Sequence, residues 1–169
     1  METNNTTCLS HRPVTDADLP VICRFPRSEQ ELFFMFPKAE YPLTIEQLRD
    51  SINNRKDSTV VLLDGKTAGF ANFYICQPGD TCSIGNVIVS PEARGRGVGS
   101  YLVRTMIGLA REKYRVKNVQ LSCFNQNVDG LLLYQKLGFK PHFIEERFDK
   151  SGGRIAAIHF IYDLDPASV

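Results

Sequence analysis

No apolar run in this 169-residue chain approaches the roughly twenty residues of a membrane span. The opening "METNNTTCLS" has neither the basic region nor the apolar run of a secretion signal. Charge of one sign is missing as well: 20 Lys and Arg stand against 19 Asp and Glu, a formal +1. Net charge therefore gives no argument for nucleic acid or an anionic membrane as a partner, although a local basic patch stays open. The five cysteines (Cys8, Cys23, Cys76, Cys82, Cys123) are odd in number and contain no C-x-x-C pair, which fits a reduced, cytoplasmic protein. The three histidines show no metal-ligand spacing with cysteine or carboxylate, so no metal site is expected. Internal repeats, low-complexity tracts and linkers are also lacking.

What is present describes one domain over residues 1–169, with residues 1–6 expected to be disordered because they are polar and terminal. Hydrophobic residues at 43% and charged residues at 23% sit near the globular average. "CLSHRPV" reads as a first strand. Thr15 with Asp18 resembles an N-cap and its third-position acid, opening a short helix through Ile22. "SEQE" from Ser28 and "TIEQ" from Thr44 are capping boxes, the second with Leu43 and Leu48 placed as a hydrophobic staple. "STVVLL", a "DGK" turn and "AGFANFYI" predict a hairpin, and "TCSIGNVIV" a further strand. Cys76 and Cys82 flank "QPGDT" and would face each other across that second turn, with two free thiols as the simpler state. From Val98 the apolar residues Val98, Leu102, Met106, Leu109 and Ala110 follow the helical period. "NVQLSCF" is a strand, "VDGLLLYQKL" a helix stopped at Gly138, and two closing strands flank "DKSGG". A strand–helix–strand crossover within a mainly antiparallel set predicts a mixed α/β fold, one sheet of about seven strands with helices on both faces.

Between the third strand of that meander and the long helix lies "VIVSPEARGRGVGSYL", a strand–glycine loop–helix of the kind that cradles phosphate. A Walker A loop is excluded because no lysine follows the glycines. A dinucleotide fingerprint fails in both registers, and the preceding hairpins contradict repeated βαβ units. Arg94-Gly95-Arg96-Gly97-Val98-Gly99 instead matches Q/R-x-x-G-x-G/A and resembles the pyrophosphate signature of the GCN5-related N-acetyltransferases. Glycines let successive N–H groups converge on one anion, and a helix start adds free donors and dipole. "NQNVDGLLLYQKLGF" is similar to the same family's second signature, with Asn127, Leu133, Tyr134, Gly138 and Phe139 in register and Gly130 where alanine is usual. The element order agrees, so the resemblance covers the whole domain.

The resemblance implies acetyl-CoA, or another acyl-CoA, as co-substrate and a primary amine of a small molecule or peptide as acceptor. It assigns cofactor binding to Val87, Ile88 and Val89 on a splayed strand, to Arg94, Gly95, Arg96, Gly97, Val98, Gly99 and Ser100 in the loop, and to Asn127 and Tyr134. Backbone N–H groups of the strand would bind the pantetheine arm and the thioester oxygen. Tyr134 would act as general acid to the leaving thiolate. The carboxylate that many relatives use as base has no counterpart, since Gly85, Asn86 and Ser122 stand at those positions. Asp80, Glu40, His142 and His159 are the candidates from elsewhere. Without a strong base, an α-amine with pKa near 8 costs about 1.4 kcal/mol to deprotonate at pH 7 against about 4.6 for a lysine amine, which favours a low-pKa acceptor. Phe34, Phe36 and Tyr41 in "LFFMFPKAEYP" are candidates for the acceptor pocket, or for a buried aromatic helix face. Neither nucleic acid nor membrane is expected as a partner, and a homodimer, common in the family, stays open. The alternative to an enzyme is an acyl-CoA-binding module without turnover, serving as a sensor or interaction partner.

Overall fold

A computed structural model describes residues 6–164; the expected disorder of residues 1–6 falls, residue 6 apart, outside the described residues. Seven strands form one sheet in the order β1-β2-β3-β4-β5-β7-β6. They are β1 (Leu9–Pro13), β2 (Lys56–Leu63), β3 (Lys66–Gln77), β4 (Thr81–Val89), β5 (Asn118–Phe124), β6 (Lys140–Phe148) and β7 (Arg154–Asp163). Among the described residues five α-helices accompany them: α1 (Leu19–Ile22), α2 (Glu29–Met35), α3 (Ile45–Asn54), α4 (Val98–Tyr114) and α5 (Val128–Lys136).

Neighbouring side chains along each strand leave on opposite faces, so each face receives its own core. Val60, Phe70 and Ile88 pack with Leu19, Ile22, Leu32, Met35 and Leu48 from α1–α3. Val61, Ala71, Phe73, Ile84 and Leu121 pack on the other face with Val98, Leu102, Met106 and Ala110 of α4 and with Tyr134 of α5. The helix starts follow their capping chemistry. Ser28 accepts from the Glu31 N–H at 3.1 Å and Thr44 from the Gln47 N–H at 3.3 Å. The return arms differ from simple boxes: Glu31 accepts from the Arg27 N–H and Gln47 from the Glu40 N–H. Asp18 does more than open a helix, accepting from Arg12, Thr67 and the Thr15 N–H and hydroxyl, and so ties the first turn to β1 and β3.

Two irregularities in the sheet position the site. β4 pairs with β5 in parallel only over Thr81–Ser83 and Asn118–Gln120. Beyond that short contact no pairing joins the two strands among the described residues, so the sheet opens there. On its other edge β4 stays paired with β3, but the register shifts between Asn72↔Gly85 and Phe70↔Ile88. β4 spends one extra residue in that interval, a bulge, and Asn86 takes a left-handed φ of 53° that asparagine tolerates better than most residues. The β2–β3 turn is the two-residue type expected of Asp64-Gly65, with φ of 51° and 82°. Cys76 and Cys82 do face each other across the β3–β4 hairpin, with free thiols whose sulfurs lie 3.2 Å apart.

Candidate active site

Where β4 leaves β5, a cleft of about 620 Å³ opens. Its walls are Glu31, Phe34 and Met35 of α2, Val87–Val89 of β4, the glycine loop with the start of α4, and Asn127, Gly130, Leu133 and Tyr134. Most of the residues predicted for cofactor binding are thereby brought together: Val87, Ile88, Val89, Arg94, Gly95, Gly97, Val98, Gly99, Ser100, Asn127 and Tyr134 all line it.

The loop reaches its shape through Gly95 and Gly97, at φ of 76° and 83°, a region costly for residues with a Cβ. Gly97 is also the N-cap of α4 and offers no side chain to cap it, and the first intrahelical bond runs from the Tyr101 N–H to the Gly97 carbonyl. The N–H groups of Val98, Gly99 and Ser100 therefore have no partner within the helix and stand at the positive end of a 17-residue dipole. Gly99 permits a close approach of α5, since a Cβ there would come 3.1 Å from Leu133 Cδ2. A backbone curl, free donors and a helix start together make an anion cradle.

The two loop arginines turn different ways. Arg94 is hydrogen-bonded to Glu31 of α2, which also accepts from the Arg27 N–H. Burial, the largest single influence, would raise the Glu31 carboxyl, but Arg94 and Arg27 together outweigh it and hold that group below its ordinary value. Arg96 leaves the cleft for Asp64, 3.7 Å away, and faces a second cavity between the β2–β3 turn and α1.

Tyr134 is 6% exposed, packed against Phe139 and Phe160. Its hydroxyl makes no hydrogen bond with the described residues, yet the side chain lines the cleft. Burial, with Cys123 beside it, pushes the phenol above its ordinary pKa, so it stays protonated through the neutral range. Asn127 caps α5, accepting from the Gly130 N–H at 3.1 Å. That cap explains the glycine at position 130, where a Cβ would meet Asn127 Nδ2 at 2.7 Å and Cys123 Sγ at 3.0 Å.

The predicted acceptor residues divide. Phe34 lines the cleft, Phe36 packs beside Arg55, and Tyr41 stands 45% exposed outside the cleft wall. Phe33 and Met35, on the same helix, are core. Among the candidate bases, Asp80 sits in the β3–β4 turn at the closed end of the splay, and Glu40 reaches Lys150 of the β6–β7 hairpin at 3.4 Å. His142 lies exposed on edge strand β6. His159 pairs across the sheet with Ser122, and its Nε2 lies 2.9 Å from Glu145 Oε2 under the stacked ring of Phe143. Among the described residues no group of three or more His, Cys, Asp or Glu side chains is placed to hold a metal ion.

Sequence reasoning misses a buried polar cluster under the bulge. Asn86 Oδ1 accepts from Ser51 Oγ at 2.6 Å and Asn72 Nδ2 at 3.0 Å, while Asn86 Nδ2 donates to the Met35 carbonyl at 2.9 Å. One side chain thus fastens the ends of α2 and α3 to the bulge and to β3. Arg55 joins from the edge, its Nη1 donating to Asn72 Oδ1 at 3.1 Å. No local pattern marks these residues, which lie up to 51 positions apart.

Comparison with known proteins agrees with this geometry. The model of the acetyltransferase (GNAT) family matches residues 24–139. A Bacillus subtilis (strain 168) protein provisionally named as a ribosomal protein bS18-alanine N-acetyltransferase is 30% identical over 103 residues, 60% of this chain and 66% of that protein. The spermine/spermidine N(1)-acetyltransferase of the same organism is 34% identical over 47 residues, 28% of this chain and 31% of that protein. The chain thus spans less than two thirds of the length of these relatives. The solved ribosomal-protein-S18-alanine N-acetyltransferase from Escherichia coli superposes with a TM-score of 0.73 at 19% identity, covering 94% of this chain and 95% of that one. The ribosomal-protein-alanine N-acetyltransferase from Brucella melitensis gives 0.75 at 21%, covering 92% and 99%.

Proposed function

Because this chain belongs to the acetyltransferase (GNAT) family, we propose that it transfers an acetyl group from acetyl-CoA to a primary amine of a small molecule or peptide. The observation that carries the reading is the convergence on one cleft of the uncapped start of α4, the unpaired edge of β4 and the free hydroxyl of Tyr134. Acetyl-CoA supplies an activated thioester, and the residues above are the chain's contribution to its use.

Gly95, Gly97 and the first N–H groups of α4 would hold the pyrophosphate. Val87–Val89 lie where β4 has no pairing toward β5 and would offer main-chain groups on that edge to the pantetheine arm and to the thioester oxygen, where negative charge would develop during attack. The amine nitrogen bonds to the acyl carbon as the carbon–sulfur bond breaks. The amine's proton leaves to solvent, the departing sulfur takes one from Tyr134, and solvent returns a proton to the phenol, which burial keeps protonated between turnovers. With no carboxylate on β4 or β5 beside the splay, a low-pKa amine is the easier acceptor. A peptide α-amine satisfies this, in keeping with the alanine acetylation named for one relative.

A thermal-shift series with acetyl-CoA, CoA, ATP and NADH at equal concentration tests the cofactor. At 100 times its dissociation constant a ligand stabilises by about 2.7 kcal/mol, enough to move the midpoint by several degrees. A shift with the two CoA species alone is expected; one with ATP or NADH alone would overturn the reading. Thiol release from acetyl-CoA across an amine panel then separates an enzyme from a CoA-binding module.

A further inference from the structure

Two arginines of the described residues are half-buried, Arg12 and Arg55, and they differ in what they face. Arg12, half-buried, makes two hydrogen bonds to Asp18. Arg49, Arg94, Arg96, Arg147 and Arg154, although exposed, also meet carboxylates. Arg55 does not. It is half-buried at the end of α3, its hydrogen bond is the one to Asn72, and no carboxylate of the described residues lies within ion-pair distance. Its guanidinium carbon lies 5.9 Å from the ring centre of Phe36 and 5.5 Å from that of Tyr74. Two ring faces offset part of the desolvation but leave most of the donor fork unused.

The place of that fork matters. A Cβ added to Gly85 would stand 2.6 Å from Arg55 Nη1 and 2.8 Å from Tyr74 Cδ1, so the guanidinium lies directly on Gly85. Gly85 is two residues before Val87 on β4, and Phe36 is one residue after Met35 on α2. Val87 and Met35 are the last cleft residues on those two elements at the end away from the glycine loop. Arg55 therefore stands just beyond the far end of the cleft, on the face covered by α1–α3. With the pyrophosphate on the loop, the thioester and the attacking amine meet at this end. Two strand residues span about 7 Å, which an α-amine's own carboxylate approaches once its hydrogen bond of about 3 Å is included, and which a neighbouring acidic side chain covers directly.

We propose that Arg55, between Phe36 and Tyr74 and against Gly85, is a specificity-determining residue that binds a carboxylate of the acceptor, so that the substrate is an α-amine with a carboxylate close to it. The proposal rests on the acetyltransferase reading above. Guanidinium and carboxylate match as a two-pronged hydrogen-bonded pair, which a lysine does not reproduce. The same fixed cation works against acceptors whose remaining groups are ammonium ions, so polyamines are poor substrates here. The carboxylate has two possible sources, a free amino acid or an acidic residue next to a peptide's N-terminal one.

The test measures acetyl-CoA-dependent turnover of matched pairs: α-amino acids against their amides, and the amidated dipeptides Ala-Glu and Ala-Asp against Ala-Gln and Ala-Asn, with spermidine alongside. At least one carboxylated member is expected to exceed its neutral match tenfold or more in kcat/KM, and which series shows it names the source. Arg55→Met should erase that ratio by raising KM for the carboxylated amine, with KM for acetyl-CoA and the thermal midpoint of the acetyl-CoA complex kept. Arg55→Lys should restore part of the ratio. Equal use of both members of every pair, preference for spermidine, no turnover of any carboxylated amine, or an Arg55→Met loss shared equally by charged and neutral amines would each overturn the proposal. Failure of the acetyl-CoA thermal shift itself would instead remove the underlying reading.

Discussion

The glycine end of the cleft is made from one short stretch of chain, Val87 to Ser100, whose backbone does the work: two left-handed glycines and a helix start without a cap. The Arg55 end is made from groups that meet from α3, β3 and β4 and from the carbonyl that ends α2, with the Asn86 side chain at their centre. The first construction depends on local conformation and tolerates change elsewhere. The second depends on every partner arriving together. The contrast also sets how each end should fail. Damage to the loop should appear as lost CoA affinity in a stable protein. Damage at the centre of the cluster, Asn86, should appear as lost stability and lost acceptor binding together, whereas loss of Arg55 at its edge should appear in acceptor binding alone.

Asn86→Ala probes the cluster where the largest effect is expected. The substitution leaves the Met35 carbonyl, Ser51 and Asn72 without their buried partner and puts alanine at a φ of 53°. A loss of about 3 kcal/mol in urea-unfolding free energy is expected, combining unmet buried groups with left-handed strain. A loss under 1 kcal/mol would mean the cluster is not what fastens α2 and α3 to the sheet. Tyr134→Phe removes one hydroxyl and none of the hydrogen bonds among the described residues, so stability and acetyl-CoA affinity should stay near wild type. kcat should fall about 100-fold, the usual scale of one general acid. An unchanged kcat would pass the proton-donor role to another group or to water.

How far the sequence is legible follows the same division. The hairpins, the α4 register and the glycine cradle are readable because turn residues, alternation and helical period act over a few positions. β4 begins at Thr81, after the Pro78-Gly79 turn, and β5 runs over Asn118–Phe124, both as expected. Asn86 is visible only as a non-acidic residue where a base is usual. That its side chain would fold under a bulge and hold Met35, 51 residues away, is a matter of tertiary arrangement. Arg55 likewise follows a helix with no motif around it, and nothing local distinguishes it from Arg49, which meets solvent and Asp16. The aromatic segment is legible as a group but not residue by residue, since one face of α2 supplies core Phe33, the next supplies Phe34 to the cleft, and Tyr41 lies beyond both.

Gly97→Val tests whether backbone conformation alone makes the cradle. No neighbour obstructs a side chain there, the nearest atom to a new Cβ being Leu9 Cδ1 at 4.0 Å. The penalty therefore comes from a β-branched residue at a φ of 83°, about 1–2 kcal/mol, relieved by letting the loop relax away from its curl. CoA affinity measured by titration calorimetry should fall about tenfold, with acceptor KM little changed. An equal rise in acceptor KM would show that the two ends are not separable.

The smallest effect lies on the contact that joins them, Arg94 of the loop with Glu31 of α2. The pair is partly exposed, at 48% and 23% of the side chains, where such contacts are worth about 0.2–1 kcal/mol. Its influence on CoA is a matter of sign. Arg94→Ala leaves the Glu31 carboxylate beside the phosphates and removes a cation, so CoA should bind a few-fold more weakly at low salt, with the difference shrinking as salt is raised. Glu31→Gln keeps an acceptor for the Arg27 N–H but frees Arg94 to turn toward the phosphates, so CoA should bind as well as in the wild type or up to a few-fold more tightly. Calorimetry of the two variants at 50 and 300 mM salt checks both signs. Opposite signs would mean that Glu31 restrains the loop arginine and links acceptor-side α2 to cofactor affinity. Equal losses would make the pair a structural brace and leave the two ends of the cleft energetically independent.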